Sequence, residues 1–296
     1  MRYLIITADD FGIGPATTQG ILQLAEQGIV QCSVLMANSP YAAEAVAAWR
    51  ASGQKLELGW HPALTNDAPV LPAAQVPSLV DAAGRFFPLG VFLRKLFSRQ
   101  LRHDEIRAEL TAQYQRCTEL LGQRPTVINT HHHIQIFKPI GGIIKELVLA
   151  QGPVPYMRLV REPWDMLWKV PGARAKRLFL NWHGRSAARR QRRLGLVGND
   201  WLIGVTDPPC VSDPDFFIRL IRSVPGKVVE FTCHPGLLDE TLLGSDCTRE
   251  DGMMQRRVRE LELLADPRFL AACREAGFEL LAPHRLAALY QARNMG

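Results

Sequence analysis

Short runs of consecutive apolar, often β-branched residues recur along this chain, separated by stretches in which apolar residues return every three or four positions. An unbroken apolar run is what a strand covered on both faces requires, and the three-to-four spacing is that of an amphipathic helix. The runs predict strands near Tyr3–Ala8, Gln31–Ala37, Leu56–Trp60, Thr126–Thr130, Tyr156–Leu159, Leu202–Val205, Val228–Thr232 and Phe278–Leu281. Between them the periodicity predicts helices over Pro15–Glu26, Tyr41–Ser52, Asp104–Leu121, Ile140–Ala150 and Asp213–Arg222, then a pair over Met253–Leu264 and Asp266–Glu275. Strands alternating with helices make an α/β protein, and parallel strands need crossovers of this length. Eight such strands fit a single-domain, distorted (β/α) barrel over residues 1–296; a doubly wound open sheet is the runner-up.

Two connections, near 68–103 and 162–198, are too long for a compact domain unless they do something. The first interleaves Arg85, Phe86, Phe87, Phe92, Arg94, Lys95 and Phe97; the second combines Trp164, Trp168, Phe179 and Trp182 with nine Lys and Arg residues. We read both as basic, aromatic-rich loop insertions.

Composition narrows the class. With 47% hydrophobic residues and a mean hydropathy of −0.04, the chain is globular, neither disordered nor a multi-pass membrane protein. A chain of 296 residues buries enough surface to need no disulfide or structural metal, so a metal here would serve chemistry. The six cysteines form no CxxC pair and read as reduced core thiols, which points to the cytosol. The first residues run directly into a strand and lack the features of a secretory signal, and no apolar stretch is long enough to span a bilayer. The excess of 35 Lys and Arg over 29 Asp and Glu leaves open a surface for anionic partners.

The chemistry-bearing residues share one location. Asp9 and Asp10 follow the first strand, His61 the third, His131, His132 and His133 the fourth, and His234 the seventh, while Arg158 lies late in the fifth. Active sites of barrels assemble at that end of the strands. Adjacent side chains on a regular strand face opposite ways, so Asp9 and Asp10 meet in one site only if the backbone turns, for which Gly12 and Gly14 provide freedom. If the fourth strand continues, His131 and His133 share a face with Asn129 and Gln135, and His132 points away. Imidazoles and a carboxylate converging on one point suit a divalent cation, and three protein ligands leave room for water or substrate. His234, fixed by Pro235 and Gly236, is placed as a proton donor, with Glu230 as a buried partner.

Four motifs then resemble a known family. Ala8–Gly12 (ADDFG), the Gly-x-His-x-x-Leu-Thr of Gly59–Thr65, the run His131–His133 and the Glu-x-x-x-His-Pro-Gly of Glu230–Gly236 look like the YdjC-like carbohydrate deacetylases, in family order across residues 3–237. The resemblance implies a metal-dependent N-deacetylase of an acetylated amino sugar on a distorted barrel. It implies Asp9 as base, Asp10, His61 and His131 as metal ligands and His234 as general acid; whether His131 or His133 is the closer ligand stays open, and Arg158 is a further site residue that orients Asp9 or contacts substrate. The family's run commonly begins with Asp and ends with His, where this chain has Asn129 and Gln135. Trp60 and Pro62 also replace the aliphatic residues usual beside His61. Segments 69–86 and Arg158–Pro163 look like the subgroup associated with hopanoid biosynthesis, which implies an acetylglucosaminyl hopanoid lipid as substrate. The metal expected is zinc, with magnesium, nickel, cobalt or manganese as alternatives.

The basic, aromatic connections fit a lipid-borne substrate, so peripheral association with the inner face of the cytoplasmic membrane is expected, with a homodimer also allowed. Three rivals stand beside this reading: deacetylation of soluble chito-oligosaccharides, metal-dependent phosphoester hydrolysis, and a peripheral membrane or nucleic-acid-binding protein without turnover. Acidic and imidazole groups gathered at strand ends argue against the last, and no nucleic acid partner is expected.

Overall fold

The computed structural model describes the backbone of residues 1–150, 152 and 154–294, and side chains through residue 289. Eight parallel strands form its centre: β1 (Arg2–Phe11), β2 (Cys32–Leu35), β3 (Glu57–Trp60), β4 (Val127–Ile128), β5 (Tyr156–Met157), β6 (Trp201–Ile203), β7 (Val228–Cys233) and β8 (Phe278–Leu280). Their order is β5-β4-β3-β2-β1-β7-β6, with β8 paired to the start of β1. A doubly wound sheet reverses direction from its middle, whereas this order runs round a circle. It is a barrel opened between β5 and β6. Single backbone bonds bridge that opening, Met157 N–H to Val197 O at 2.8 Å and Leu202 N–H to Arg161 O at 2.8 Å.

Alternation along β1 and β7 sorts side chains between the outside and the inside of the curved sheet. Leu4, Ile6 and Ala8, with Val229, Phe231 and Cys233, join the main core under the helices. Ile5, Cys32, Val34, Val127, Tyr156 and Val228 form a second apolar cluster that fills the base of the barrel. The next inward positions are Glu230, Thr232 and Asp9, all buried. An apolar floor thus carries a polar layer at the C-terminal ends of the strands, and excludes water from beneath it.

The two long connections are not the open loops expected from their composition. The first holds the helix Leu89–Phe97, and the second the short helix Met166–Lys169 followed by the twenty-residue helix Arg174–Arg193. This basic helix comes within backbone contact of the sheet at Gly184, where an added Cβ would lie 1.6 Å from Val160 O. No helix among the described residues is long and apolar enough to cross a membrane.

Candidate active site

The site begins with an irregularity in β1. The pairing of β1 with β2 shifts register between Ala8 and Phe11, and Asp10 adopts a left-handed φ of 64°. Such a bulge re-aims one side chain relative to its neighbour. Asp9 and Asp10 therefore both reach the mouth of the barrel, through the backbone of Asp10 itself; Gly12, also left-handed at φ 80°, follows the turn and does not create it.

Asp9 accepts four hydrogen bonds from three side chains. Arg158 grips it with two bonds, Nη1 to Oδ2 at 2.6 Å and Nη2 to Oδ1 at 2.8 Å. Asn129 Nδ2 donates to Oδ1 at 2.9 Å, and Thr232 Oγ1 donates to Oδ2 at 3.0 Å. Arg158 is in turn anchored by Glu230, whose Oε1 accepts from Nε at 2.7 Å while its Oε2 accepts from Tyr156 at 2.8 Å. Burial raises the Asp9 pKa, but the Arg158 charge and hydrogen bonds outweigh it, leaving the carboxyl well below the usual carboxylate range. Asp9 is ionised at any working pH.

Asp10, His61 and His131 converge on one point, their ligand atoms all within 4.8 Å of one another. Asp10 Oδ1 lies 3.1 Å from His61 Nε2 and 3.0 Å from His131 Nδ1. The hydrogen-bond chain tests whether a cation fits. Asp9 can only accept, so Asn129 must turn its NH₂ to Asp9 and its Oδ1 to His61 Nδ1, which contacts it closely. His61 Nδ1 therefore carries a proton, which leaves Nε2 as the ring atom that faces the Asp10 carboxylate. A cation, proton or metal, joins the two. The donor set of two imidazoles and one carboxylate suits zinc and its neighbours.

The histidine run departs from the strand geometry expected for it. β4 ends at Ile128, and His131–Ile136 is a 3₁₀ turn in which His132 and His133 have left-handed φ values of 53° and 56°. The alternation that grouped His131 with His133 and Gln135 does not apply. His131 alone turns to Asp10. His132 Nδ1 meets Thr65 Oγ1 at 2.9 Å, and Gln135 bonds to Thr130 within the turn. His133 is buried with Nδ1 unpartnered; burial and then the Arg158 charge push its pKa down to about 3, so it stands neutral beside the Asp9 pair. His234 follows β7 with Nε2 4.0 Å from Asp9 Oδ2. Burial, then Arg256, holds it well below its ordinary pKa, and its backbone N–H donates to Glu260.

The sequence reading missed a further set of residues. Arg257, on the helix Met253–Ala265, donates to Asp10 Oδ2 at 2.6 Å and to Asp246 Oδ2 at 2.8 Å, so it occupies one Asp10 oxygen and leaves the other to the imidazoles. Asp246 Oδ1 lies 3.7 Å from His131 Nε2. Burial, opposed by these carboxylates, leaves the His131 pKa raised to about 9.

Residues 3–275 match the family described as YdjC-like protein. The chain belongs to that family. A carbohydrate deacetylase of Enterococcus faecalis (strain ATCC 700802 / V583) is 30% identical over 290 residues, covering 97% of this chain and 98% of the relative. A chitooligosaccharide deacetylase of Serratia marcescens is 31% identical over 282 residues, with 94% and 97% covered. A crystal structure from Enterococcus faecalis V583, of a protein named as a candidate for cellobiose-phosphate cleavage, superposes with a TM-score of 0.78 at 26% identity over 96% of this chain and 98% of that one. The barrel-like α/β fold of this YdjC-like chain is thus that of a full-length homologue.

Proposed function

We propose that this chain removes acetate from an N-acetylated amino sugar by metal-assisted hydrolysis, with Asp10, His61 and His131 as ligands. That it is a hydrolase of the carbohydrate deacetylase kind follows from family membership and from the activities for which its relatives are named. The observation that carries the metal reading is the convergence of one carboxylate and two imidazoles, with their ligand atoms within 4.8 Å of one another.

A divalent ion, zinc by preference, would supply Lewis acidity to the acetamide carbonyl and acidity to the attacking water. Asp9, with two bonds to Arg158, is a weak base, adequate only for a water so acidified. Arg158 and Glu230 hold Asp9 in place, and Asp9 Oδ2 takes the water's proton. His234 Nε2, 4.0 Å from that oxygen, is placed to receive the proton and deliver it to the departing amine. Arg257 keeps Asp10 from rotating, and the apolar floor keeps bulk water out.

The finer substrate we infer is an acetylglucosaminyl hopanoid lipid, with the enzyme working at the inner membrane surface. Its support is the similarity of segments 69–86 and Arg158–Pro163 to the hopanoid-associated subgroup, together with the aromatic, basic helices beside the site. Acetate release from this lipid and from chito-oligosaccharides, each with and without chelator, tests both levels. Turnover lost with chelator and restored by zinc supports the metal; faster turnover of the lipid supports the substrate. Equal rates with chelator refute the first, and turnover confined to soluble sugars refutes the second.

A further inference from the structure

The helix Arg174–Arg193 does not bury all of its large apolar side chains. Its buried side carries Leu180, Ala187 and Ala188 together with Arg177, Asn181, Gly184 and Gln191, while Leu178, Phe179 and Trp182 stand with arginines on its exposed side. A surface helix ordinarily turns such residues inward. Nor can this helix roll to hide Trp182. Arg177 pairs with the buried Glu162 at 2.6 Å and donates to Val170 O at 2.7 Å, and Gln191 Nε2 donates to Met157 O at 2.6 Å. Rolling would leave Glu162 buried and unpaired, a costly state, and would turn a side chain into the space beside Val160 that only Gly184 fits. The fold therefore holds Leu178, Phe179 and Trp182 outward.

That face is extended and positively charged. Trp182 is 74% exposed, Trp168 70% and Phe97 57%. Residues 170–199 contain eight Lys and Arg and no Asp or Glu. Arg177 is paired with Glu162 and Arg192 lies 3.5 Å from Asp200, but among the described residues no carboxylate lies within ion-pair distance of Arg174, Arg189 or Arg193. Beside the face opens a cavity of about 790 Å³, lined in part by Phe97, Ile136, Phe137 and Trp182. Ring contacts run from Phe97 to Phe137 at 5.5 Å and from Phe179 to His183 at 4.7 Å. Phe137 ends the turn that begins with His131, so the apolar surface adjoins the wall of the site.

We propose that this face docks the protein on an anionic lipid bilayer. Trp168, Phe179 and Trp182 enter the headgroup region, and Arg174, Arg189 and Arg193 meet lipid phosphates. Interleaved aromatic and cationic side chains are the composition that interface selects. A second copy of the chain would set two cationic surfaces against each other, and duplex nucleic acid would leave Leu178 and Trp182 unburied. The surface is argued from helix geometry; it rests on the lipid reading above only for what is drawn from the bilayer.

Flotation of the full chain with vesicles of phosphatidylcholine, with or without phosphatidylglycerol, tests it. Wild type should float with the anionic vesicles, with a blue shift in tryptophan emission, and lose binding at high salt. The triple variant Arg174→Gln, Arg189→Gln, Arg193→Gln should bind about tenfold more weakly or worse, since each cation near an anionic surface contributes. Phe179→Ser with Trp182→Ser should lose the emission shift, and thermal melts confirm that both variants fold. A wild type that stays off anionic vesicles overturns the proposal, as do variants that bind like wild type. So does a dimer, or an oligonucleotide complex, that the same variants abolish while vesicles are ignored. Turnover of detergent-dispersed acetylglucosaminyl lipid and of soluble chito-oligosaccharide, both measured in parallel without vesicles, separates the claims. Turnover without vesicle binding removes the docking surface alone, and vesicle binding without turnover removes the deacetylase reading alone.

Discussion

At the scale of residues, the account turns on which atoms carry protons. Asn129 orients His61 and contacts Asp9 at once. Asn129→Ala should weaken zinc binding about 10–100-fold, as loss of a partner that orients a ligand usually does. Asn129→Asp, which still accepts from His61 Nδ1, should recover most of it; equal affinities in a competition titration would refute the orienting role. The Asp9 pair with Arg158 has a pH signature. The Asp9 pKa is depressed in the folded chain, so the pair's stabilisation is present above the unfolded value of 3.8 and is lost as pH falls below it. Asp9→Asn should cost about 3–5 kcal/mol near neutral pH, the usual penalty for breaking a buried pair. That gap should narrow below the unfolded value; a gap constant with pH in denaturant titrations would contradict the assignment.

At the scale of elements, legibility followed the regularity of the backbone. β1 and β7 were readable because parallel strands covered on both faces are unbroken apolar runs, and both end in the residues of the site. The histidine turn was not readable, because alternation assumes a strand and three consecutive histidines carry no mark of left-handed backbone. Arg257 and Glu260 did leave a signal: they lie three apart on the same stripe as Leu264, charges on the apolar side of a predicted helix. That pattern points to buried pairing. The basic connection reads as a loop because its inward stripe mixes Arg177, Asn181 and Gln191 with Leu180, Ala187 and Ala188, which blurs the helical period. Gly184 makes that packing testable. Gly184→Val should force the helix Arg174–Arg193 off Val160 and speed tryptic cleavage at its arginines at least several-fold, with a lower Tm. Unchanged cleavage would mean that the helix is held elsewhere.

At the scale of the whole molecule, eight strands closing toward a barrel bring together residues more than two hundred positions apart, as Asp10 and Arg257 show. Eight strands alternating with helices predict a barrel, and the circular strand order agrees with it; where the circle opens, between β5 and β6, the periodicity does not say. The same fold buries all six cysteines, and burial holds thiols such as Cys117 and Cys273 above their ordinary pKa. Native protein should therefore resist thiol reagents that label all six after unfolding; rapid native labelling would contradict the packing. The central claim is that distant segments build a single cation site. Metal content per chain, measured on purified protein after zinc loading and desalting, tests it most directly. One zinc per chain is expected in wild type and in Asp9→Asn, with loss in Asp10→Asn, His61→Ala and His131→Ala; full retention of zinc by those three variants would contradict the account.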